Sequence, residues 1–162
     1  MASRRAILAA GIAAPALALY LGRRRPAQAA SNYKVTHTDA EWHKLLTADQ
    51  YAVLRESATE RPFTSALLNE HRHGTFTCAG CQLPLFASDT KFDSGTGWPS
   101  FWQALPQAVQ ETSDMSLGMA RTAVACAQCG GHLGHVFDDG PKPTGLRYCM
   151  NGVALGFTPV GA

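Results

Sequence analysis

The sequence lacks an apolar run long enough to span a membrane. Its longest apolar stretch, Ala6 to Leu21, has 16 residues, whereas a membrane-spanning helix needs about 20. Heptads, low-complexity tracts and long internal repeats are also missing, so coiled-coil and solenoid architectures are excluded. The 162 residues therefore predict one domain with a modest core.

Acidic side chains are missing from the first 30 residues, which contain five arginines. This composition is typical of a targeting segment. Arg4-Arg5 before the apolar run resembles a twin-arginine export signal, and Pro26 to Ala29 resembles a signal-peptidase site. We predict a cleaved export signal over residues 1–29 and a periplasmic or otherwise exported domain over residues 30–162, with only transient membrane contact during export. The alternatives are an uncleaved leader that anchors the chain in a membrane and an organelle transit peptide.

Basic charge is scarce once the leader is set aside. Without its five arginines the 14 Lys and Arg fall to nine, against 12 Asp and Glu, which leaves a net charge of −3. A mildly acidic domain without a basic stripe is poorly suited to bind a phosphate backbone. Nucleic acid is therefore not expected as a partner.

Two capping boxes, Thr38 to Glu41 and Thr47 to Gln50, predict two short helices, the second ending near Glu56. Further along, short runs separated by turn residues predict strands joined in antiparallel hairpins. These runs are Thr75 to Cys78, Val109 to Thr112, Arg121 to Ala125 and Val153 to Phe157. Turn residues from Asp138 to Gly145 predict a loop next to the strand that carries Cys149.

The chain has only five cysteines, and four of them form two C-x-x-C pairs, Cys78 with Cys81 and Cys126 with Cys129. Two such pairs brought together offer four sulfurs at tetrahedral angles, which suits Zn²⁺. Four thiolates leave no open coordination position. We therefore predict one structural Zn²⁺ per chain that holds the two halves of the β region together. Disulfides are the alternative in an exported protein, although a bridge within C-x-x-C closes a small ring and constrains little chain.

The fifth cysteine, Cys149, needs a different role. Aromatic residues and histidines cluster beside glycines in two other segments, around Trp98 and from His132 to Phe137. Together with the cysteine pairs, these segments closely resemble the B-type methionine sulfoxide reductases, which reduce the R epimer of methionine sulfoxide. The resemblance runs from about Leu46 to Pro159. The matching segments are Thr59 to Phe63, both cysteine pairs, Gly97 to Phe101, His132 to Phe137, Asp139 to Pro141 and Thr144 to Cys149.

The resemblance implies a mainly β fold of two facing antiparallel sheets, with short N-terminal helices and a zinc site opposite the active site. It implies that Cys149 is the nucleophile that attacks the sulfoxide sulfur. It implies that His132 and His135 bind water and the sulfoxide oxygen. Their orienting partners are then Asp139 and Asn151, and the walls around the S-methyl group are Trp98 and Phe137.

The chemistry of sulfoxide reduction agrees with these residue types. A sulfoxide is a poor electrophile until its oxygen is protonated or strongly hydrogen-bonded, so a thiolate and a proton donor are both needed. Histidine can be that donor near neutral pH. Arg147 and the two histidines are the candidates to favour the thiolate, and Arg147 is also expected beside the substrate. Attack then leaves Cys149 as a sulfenic acid.

Many members of this family carry a resolving cysteine where this chain has Thr96. If the other four cysteines bind zinc, no thiol remains to reduce the Cys149 sulfenic acid within the chain. We therefore predict a thioredoxin-like thiol reductant as a partner. The predicted substrates are oxidised proteins or peptides, with free methionine sulfoxide as a further substrate. The chain is predicted to be a monomer. A thiol borrowed from the metal site is the alternative route.

Two other functions are weighed against this reading. In a non-catalytic zinc-ribbon interaction module, Trp98 and Phe137 would merely pack and Cys149 would be a small buried hydrophobe. That reading leaves the two histidines unexplained. A zinc hydrolase would need an open coordination position, which four cysteine ligands deny.

Overall fold

The structure, a computed structural model, describes residues 33–116 and 118–161. The predicted export signal over residues 1–29, and the two alternatives to it, lie outside the described residues and stay predictions. Within the described ranges, no helix is both long and apolar enough to cross a membrane.

Two short helices open the described chain at the predicted capping boxes: α1 spans Asp39–Leu45 and α2 spans Ala48–Glu56. In each helix, the side chain of the N-cap threonine accepts a hydrogen bond from the backbone N–H of the residue three positions later. The side chain of that later residue accepts a hydrogen bond from the N-cap N–H. This arrangement satisfies backbone donors that a helix start otherwise leaves free. Trp42, Val53 and Leu54 are buried, so each helix packs through an apolar face.

The described residues include nine short strands. They are β1 (Gly74–Cys78), β2 (Pro84–Ala87), β3 (Lys91–Phe92), β4 (Ser100–Phe101), β5 (Val109–Asp114), β6 (Arg121–Cys126), β7 (His132–Phe137), β8 (Arg147–Met150) and β9 (Leu155–Pro159). One sheet has the order β2-β1-β9 and the other the order β3-β4-β8-β7-β6-β5. All of the pairings are antiparallel. The predicted fold class, mainly β with two antiparallel sheets, is confirmed.

Aromatic side chains join the two sheets. Phe101 on β4 stacks on Phe86 of β2 with ring centroids 4.4 Å apart, and meets Phe76 of β1 edge-on at 4.9 Å. All three rings are fully buried. Burying one such side chain contributes about 1.5–3 kcal/mol relative to leaving it in water, so this contact is a main source of sheet-to-sheet stability.

The predicted strands from Thr75, Val109 and Arg121 are confirmed to within two residues at each end. The strand predicted from Val153 is wrong at its start, because Gly152–Ala154 forms a 3-10 turn and β9 begins at Leu155. The Glu60 carboxylate accepts hydrogen bonds from the N–H groups of Gly152 and Val153, at 2.6 and 3.4 Å. Those donors are therefore not available to a neighbouring strand.

Candidate active site

Cys149 lies within β8, between β4 and β7. Its Cα partners are Ser100 on β4 and His135 on β7. Its side chain lines a cavity of about 130 Å³. The residues around this cavity are Thr59, Trp98, Arg121, Gly134, His135, Phe137, Cys149 and Asn151. Five of the eight catalytic and substrate-binding residues predicted from the sequence therefore meet here.

Gly134 lets β8 approach β7 closely behind this cavity. A Cβ atom at position 134 would lie 2.1 Å from the carbonyl oxygen of Cys149, far inside van der Waals contact. Only glycine fits this position without moving the strand that carries the nucleophile. The glycine between the two histidines thus has a packing role.

A β-bulge brings His132 and His135 together. Residues three apart in a regular strand point to opposite faces of the sheet. In β7 the register against β6 shifts between Gly134 and His132, so Leu133 is an extra residue. The shift turns His132 back towards His135, and their ring centroids lie 5.4 Å apart.

His132 is mostly buried, and this fixes its charge. Burial lowers the pKa of His132 to about 4, and the nearby His135 acts in the same direction. His132 is therefore neutral at pH 7. It can donate one N–H to a bound oxygen, but it does not supply a proton as an imidazolium.

The carboxylate that binds His135 is Asp114, at the end of β5. The distance from His135 Nε2 to Asp114 Oδ2 is 2.8 Å. His135 thus has Asp114, and not the expected Asp139 or Asn151, as its side-chain partner, since the hydrogen bonds of those two residues go to other groups. The reason is topological: β5 and β7 both pair with β6, and Asp114 reaches His135 across that strand.

Asp139 binds Arg147 instead. Arg147 donates from Nε and Nη2 to the two Asp139 carboxylate oxygens, both at 2.8 Å, and its guanidinium lies 4.4 Å from the centroid of the Phe137 ring. The hydrogen bonds to Asp139 raise the pKa of Arg147. Burial lowers this pKa, and the interaction with Cys149 raises it. Arg147 and Cys149 are two residues apart on β8 and share a face. Arg147 is therefore a fixed positive charge beside the sulfur.

Asn151 follows the last residue of β8 and links it to Glu60, which precedes β1 in the chain. It is 4% exposed, and its side chain donates to the Leu133 carbonyl at 3.0 Å and accepts from the Glu60 N–H at 2.8 Å. The Glu60 carbonyl accepts from Trp98 Nε1 at 2.9 Å. Asn151 and Glu60 together fix the indole that forms one cavity wall.

A chain of hydroxyl groups ends at the Cys149 sulfur. Thr96 Oγ1 lies 3.7 Å from Cys149 Sγ and 2.8 Å from Ser94 Oγ, and Ser94 Oγ lies 2.7 Å from Ser100 Oγ. Ser100 is buried and also donates to the Trp98 carbonyl. The sulfur therefore faces a hydroxyl at the position where many relatives are expected to have a thiol.

The other four cysteines form a separate cluster. Cys78 and Cys126 are the last residues of β1 and β6, and their pair partners lie in the turns that follow. The four sulfurs all lie within 4.8 Å of one another. Because β1 and β6 belong to different sheets, this cluster joins the sheets at one end of β6, while Arg121 at the opposite end of β6 lines the Cys149 cavity.

The cluster fits a tetrahedral metal ion. Zn–S bonds of about 2.3 Å place the sulfurs of a tetrahedral site about 3.8 Å apart. The sulfurs of Cys78 and Cys129 are 3.7 Å apart, and those of Cys81 and Cys126 are 3.5 Å apart. Four thiolates this close together repel one another, so they require a cation. These residues could hold a metal ion, and zinc suits four sulfur ligands.

Several residues of this site are missing from the sequence prediction. Asp114 and Arg121 form the group around His135, and neither lies in a recognisable motif. Glu60 and Thr59 belong to a segment that carries the resemblance but had no assigned role. For Ser94, the signal was its place in the glycine-rich segment before Trp98.

The model of the SelR domain family matches residues 46–159, which is more than half of the chain. The chain belongs to the SelR family. Among curated relatives, the peptide methionine sulfoxide reductase MsrB of Agrobacterium fabrum is 56% identical over 128 residues, which cover 78% of this chain and 95% of the relative. The protein of the same name from Bradyrhizobium diazoefficiens is 58% identical over 127 residues, covering 78% and 91%. The family expected from the sequence is confirmed.

One solved structure shows a weaker likeness. The Mis18 "Yippee-like" domain has a TM-score of 0.45 and 17% identity, and the match covers 56% of this chain and 100% of that domain. Membership of the SelR family rests on the sequence relatives alone.

Proposed function

We propose that the chain is a peptide-methionine (R)-S-oxide reductase, which reduces methionine sulfoxide in oxidised proteins and peptides through a thiol. One observation carries this proposal. Cys149, outside the four-cysteine cluster, lines a cavity with His135, Trp98 and Phe137. A nucleophile, a histidine that can pass a proton to the sulfoxide oxygen and two aromatic walls are the groups that the reaction needs.

The reaction begins with attack of the Cys149 thiolate on the sulfoxide sulfur. Arg147 beside the sulfur favours the thiolate. The proton that the Cys149 thiol gives up passes by way of His135 to the sulfoxide oxygen, and as the S–O bond breaks that oxygen becomes the hydroxyl group on the Cys149 sulfur. Methionine is released and Cys149 is left as a sulfenic acid, so the substrate sulfur is reduced and the cysteine sulfur is oxidised by two electrons.

The cavity has a handed arrangement. Trp98 and Phe137 line it as aromatic walls, and His135 lies on the strand next to Cys149. An S-methyl group held between the aromatic rings leaves one direction in which the sulfoxide oxygen reaches His135. This supports selection of a single epimer, which we assign as R from the family resemblance.

Protein-bound sulfoxide is the favoured substrate. Trp98 also lines a second cavity of about 410 Å³, together with Phe63, Lys91 and Asp93. Phe63 is 71% exposed, an unusual exposure for a phenylalanine. This open surface next to the Cys149 cavity has room for the residues that flank a methionine sulfoxide in a polypeptide, whereas free methionine sulfoxide would use only the smaller cavity.

Recycling requires an external thiol. With four cysteines in the metal cluster and Thr96 beside Cys149, the sulfenic acid has no thiol partner among the described contacts. A donor thiol condenses with it to give a mixed disulfide and water, and a second donor thiol then releases Cys149 as the thiol. We infer a thioredoxin-like donor, because it carries both thiols.

The metal is proposed to be one structural Zn²⁺ per chain, held by Cys78, Cys81, Cys126 and Cys129. When bound, it supplies folding free energy rather than chemistry, since four sulfur ligands complete its coordination. The exported location stays a proposal that rests on the composition of residues 1–29, and the monomeric state stays a proposal as well.

The proposed function is tested with separated epimers of a methionine sulfoxide peptide and dithiothreitol, with the methionine product measured. We expect rapid reduction of the R epimer and a rate at least 100-fold lower for the S epimer, because only one direction of the sulfoxide oxygen reaches His135. Equal rates on the two epimers would overturn the assignment, and no product from either would overturn the activity.

A further inference from the structure

Asp114, Arg121 and His135 form one connected group of polar side chains beside Cys149. Asp114 is the last residue of β5 and Arg121 the first residue of β6, and they are direct partners across the hairpin. His135 lies on β7, the next strand of the same sheet. Arg121 and His135 both line the Cys149 cavity, whereas Asp114 does not. Asp114 thus acts on the cavity through its two neighbours.

Both oxygens of the Asp114 carboxylate accept hydrogen bonds. Its Oδ2 accepts from Arg121 Nη2 at 2.6 Å and from His135 Nε2 at 2.8 Å, and its Oδ1 accepts from the Ser116 N–H at 2.9 Å. The side chains of Asp114 and His135 are only 18% and 14% exposed. Both groups are therefore held in one orientation, largely out of water.

This geometry decides which nitrogen of His135 carries the proton. The hydrogen bond from Ser116, then that from His135, holds the pKa of Asp114 well below its usual range, so the carboxylate is ionised at neutral pH. An ionised carboxylate only accepts hydrogen bonds. Nε2 of His135 must therefore carry a proton. In the neutral ring, Nδ1 is then the nitrogen that accepts a hydrogen bond or a proton.

We propose that Asp114 is a positioning residue for sulfoxide reduction, which holds His135 in the Nε2–H form and in a fixed ring orientation, while Arg121 holds Asp114. The inference rests on the proposed function, because it gives the ordered imidazole a substrate to act on. Similar carboxylate–histidine contacts fix the tautomer and ring orientation of histidines in other enzymes and at metal sites. Neither the tautomer nor this residue follows from the family resemblance.

Two variants test this role, Asp114→Asn and Asp114→Ala. Asparagine has one acceptor oxygen where three donors now bind, and alanine has none. Long-range ¹H–¹⁵N NMR spectra of the free protein at pH 7.5 report the tautomer of each histidine, and the His135→Gln variant identifies the His135 signals. We expect the Nε2–H form in the unmodified protein and its loss or mixing in both Asp114 variants.

Kinetics with the R-sulfoxide peptide provide the second readout. We expect kcat to fall 10- to 100-fold in both variants, with KM changed less than threefold, because a misoriented histidine weakens the transition state more than substrate binding. Asp89→Asn is the matched control, since Asp89 faces His73 at 3.2 Å in an exposed pair. It should leave the His135 signals and kcat unchanged. Zinc content and Tm verify that each variant is folded.

The outcomes separate this inference from the proposed function. An unmodified protein that reduces neither epimer would reject the function, whereas the tautomer is measured without substrate. If folded Asp114 variants keep the Nε2–H form, Asp114 does not control the histidine and the inference is overturned. It is equally overturned if the tautomer changes while kcat stays within twofold of the unmodified protein.

Discussion

Thr96 is the residue on which the proposed recycling route depends. Its hydroxyl oxygen lies 3.7 Å from the Cys149 sulfur and is hydrogen-bonded to Ser94. A hydroxyl cannot form a disulfide with the sulfenic acid, but the loop already holds position 96 within reach of position 149. At position 96 this chain therefore lacks only the thiol group that an internal resolving step would need.

A Thr96→Cys substitution should create an internal recycling step. A cysteine sulfur placed near the present hydroxyl needs to move less than about 2 Å to reach the disulfide bond length. After one equivalent of R-sulfoxide without reductant, we expect nearly stoichiometric disulfide between positions 96 and 149, measured by mass spectrometry of peptides. Thr158→Cys, at an exposed position on β9, is the control and should give none. Failure of the first variant to form the bridge would contradict the geometry of this loop.

The buried His132 should make stability depend on pH. Its pKa is lowered to about 4 in the folded protein, so between pH 7 and pH 5.5 the unfolded chain binds a proton that the folded chain refuses. Stability is therefore lost as the pH falls through this window, by about 1 kcal/mol for this residue. Urea unfolding at both pH values should show this loss reduced by about that amount in His132→Gln.

The control for this prediction is His73→Gln, because His73 is highly exposed. That variant should keep the pH dependence of the unmodified protein. If His132→Gln also keeps it, His132 is protonated as easily in the folded chain as in the unfolded one, and its proposed neutral role near the sulfoxide oxygen fails.

At the scale of elements, the ends of β1 and β6 depend on the cysteine cluster. Cys126→Ser removes one ligand from a buried site that joins the two sheets. We expect loss of bound zinc and a fall in the free energy of unfolding of about 3 kcal/mol or more, since metal binding free energy of about 10 kcal/mol contributes to folding at such sites. Metal analysis and urea unfolding measure both. Fully active protein without zinc would contradict a structural metal.

The helices were predictable because their start signals are local. Both capping boxes involve residues three apart, and both form as the sequence indicates. β3 and β4 have only two residues each, too few for an alternating pattern to be read. β7 was not predicted for another reason. The bulge at Leu133 breaks the alternation of inward and outward side chains, and Gly134 lowers the strand propensity.

The candidate site was predictable where family motifs carry it and not where the fold brings distant residues together. Cys149, Trp98, Phe137 and His135 lie in motifs and meet at one cavity. The partner of His135 is Asp114, 21 residues earlier in the chain. Nothing local distinguishes this aspartate from Asp139. Only the order β5-β6-β7 in the sheet does so.

At the scale of the whole molecule, two constraints hold the nucleophile in place. The four-cysteine cluster joins the two sheets at one end of β6, and the aromatic rings of Phe76, Phe86 and Phe101 join them in the core. β8 lies in the interior of the six-stranded sheet with paired strands on both sides. Cys149 is therefore held by rigid elements, which favours a preorganised site.

The most direct test of the whole account is the fate of Cys149 in a single turnover. The protein is mixed with one equivalent of R-sulfoxide peptide and no reductant, then treated with dimedone, which labels sulfenic acids. We expect one methionine formed per chain and one dimedone adduct at Cys149, with zinc retained and no intramolecular disulfide. Cys149→Ser should keep its zinc and form neither product. Methionine formed with Cys149 unmodified would contradict the account, and a disulfide from Cys149 to a cluster cysteine with zinc released would contradict its recycling route.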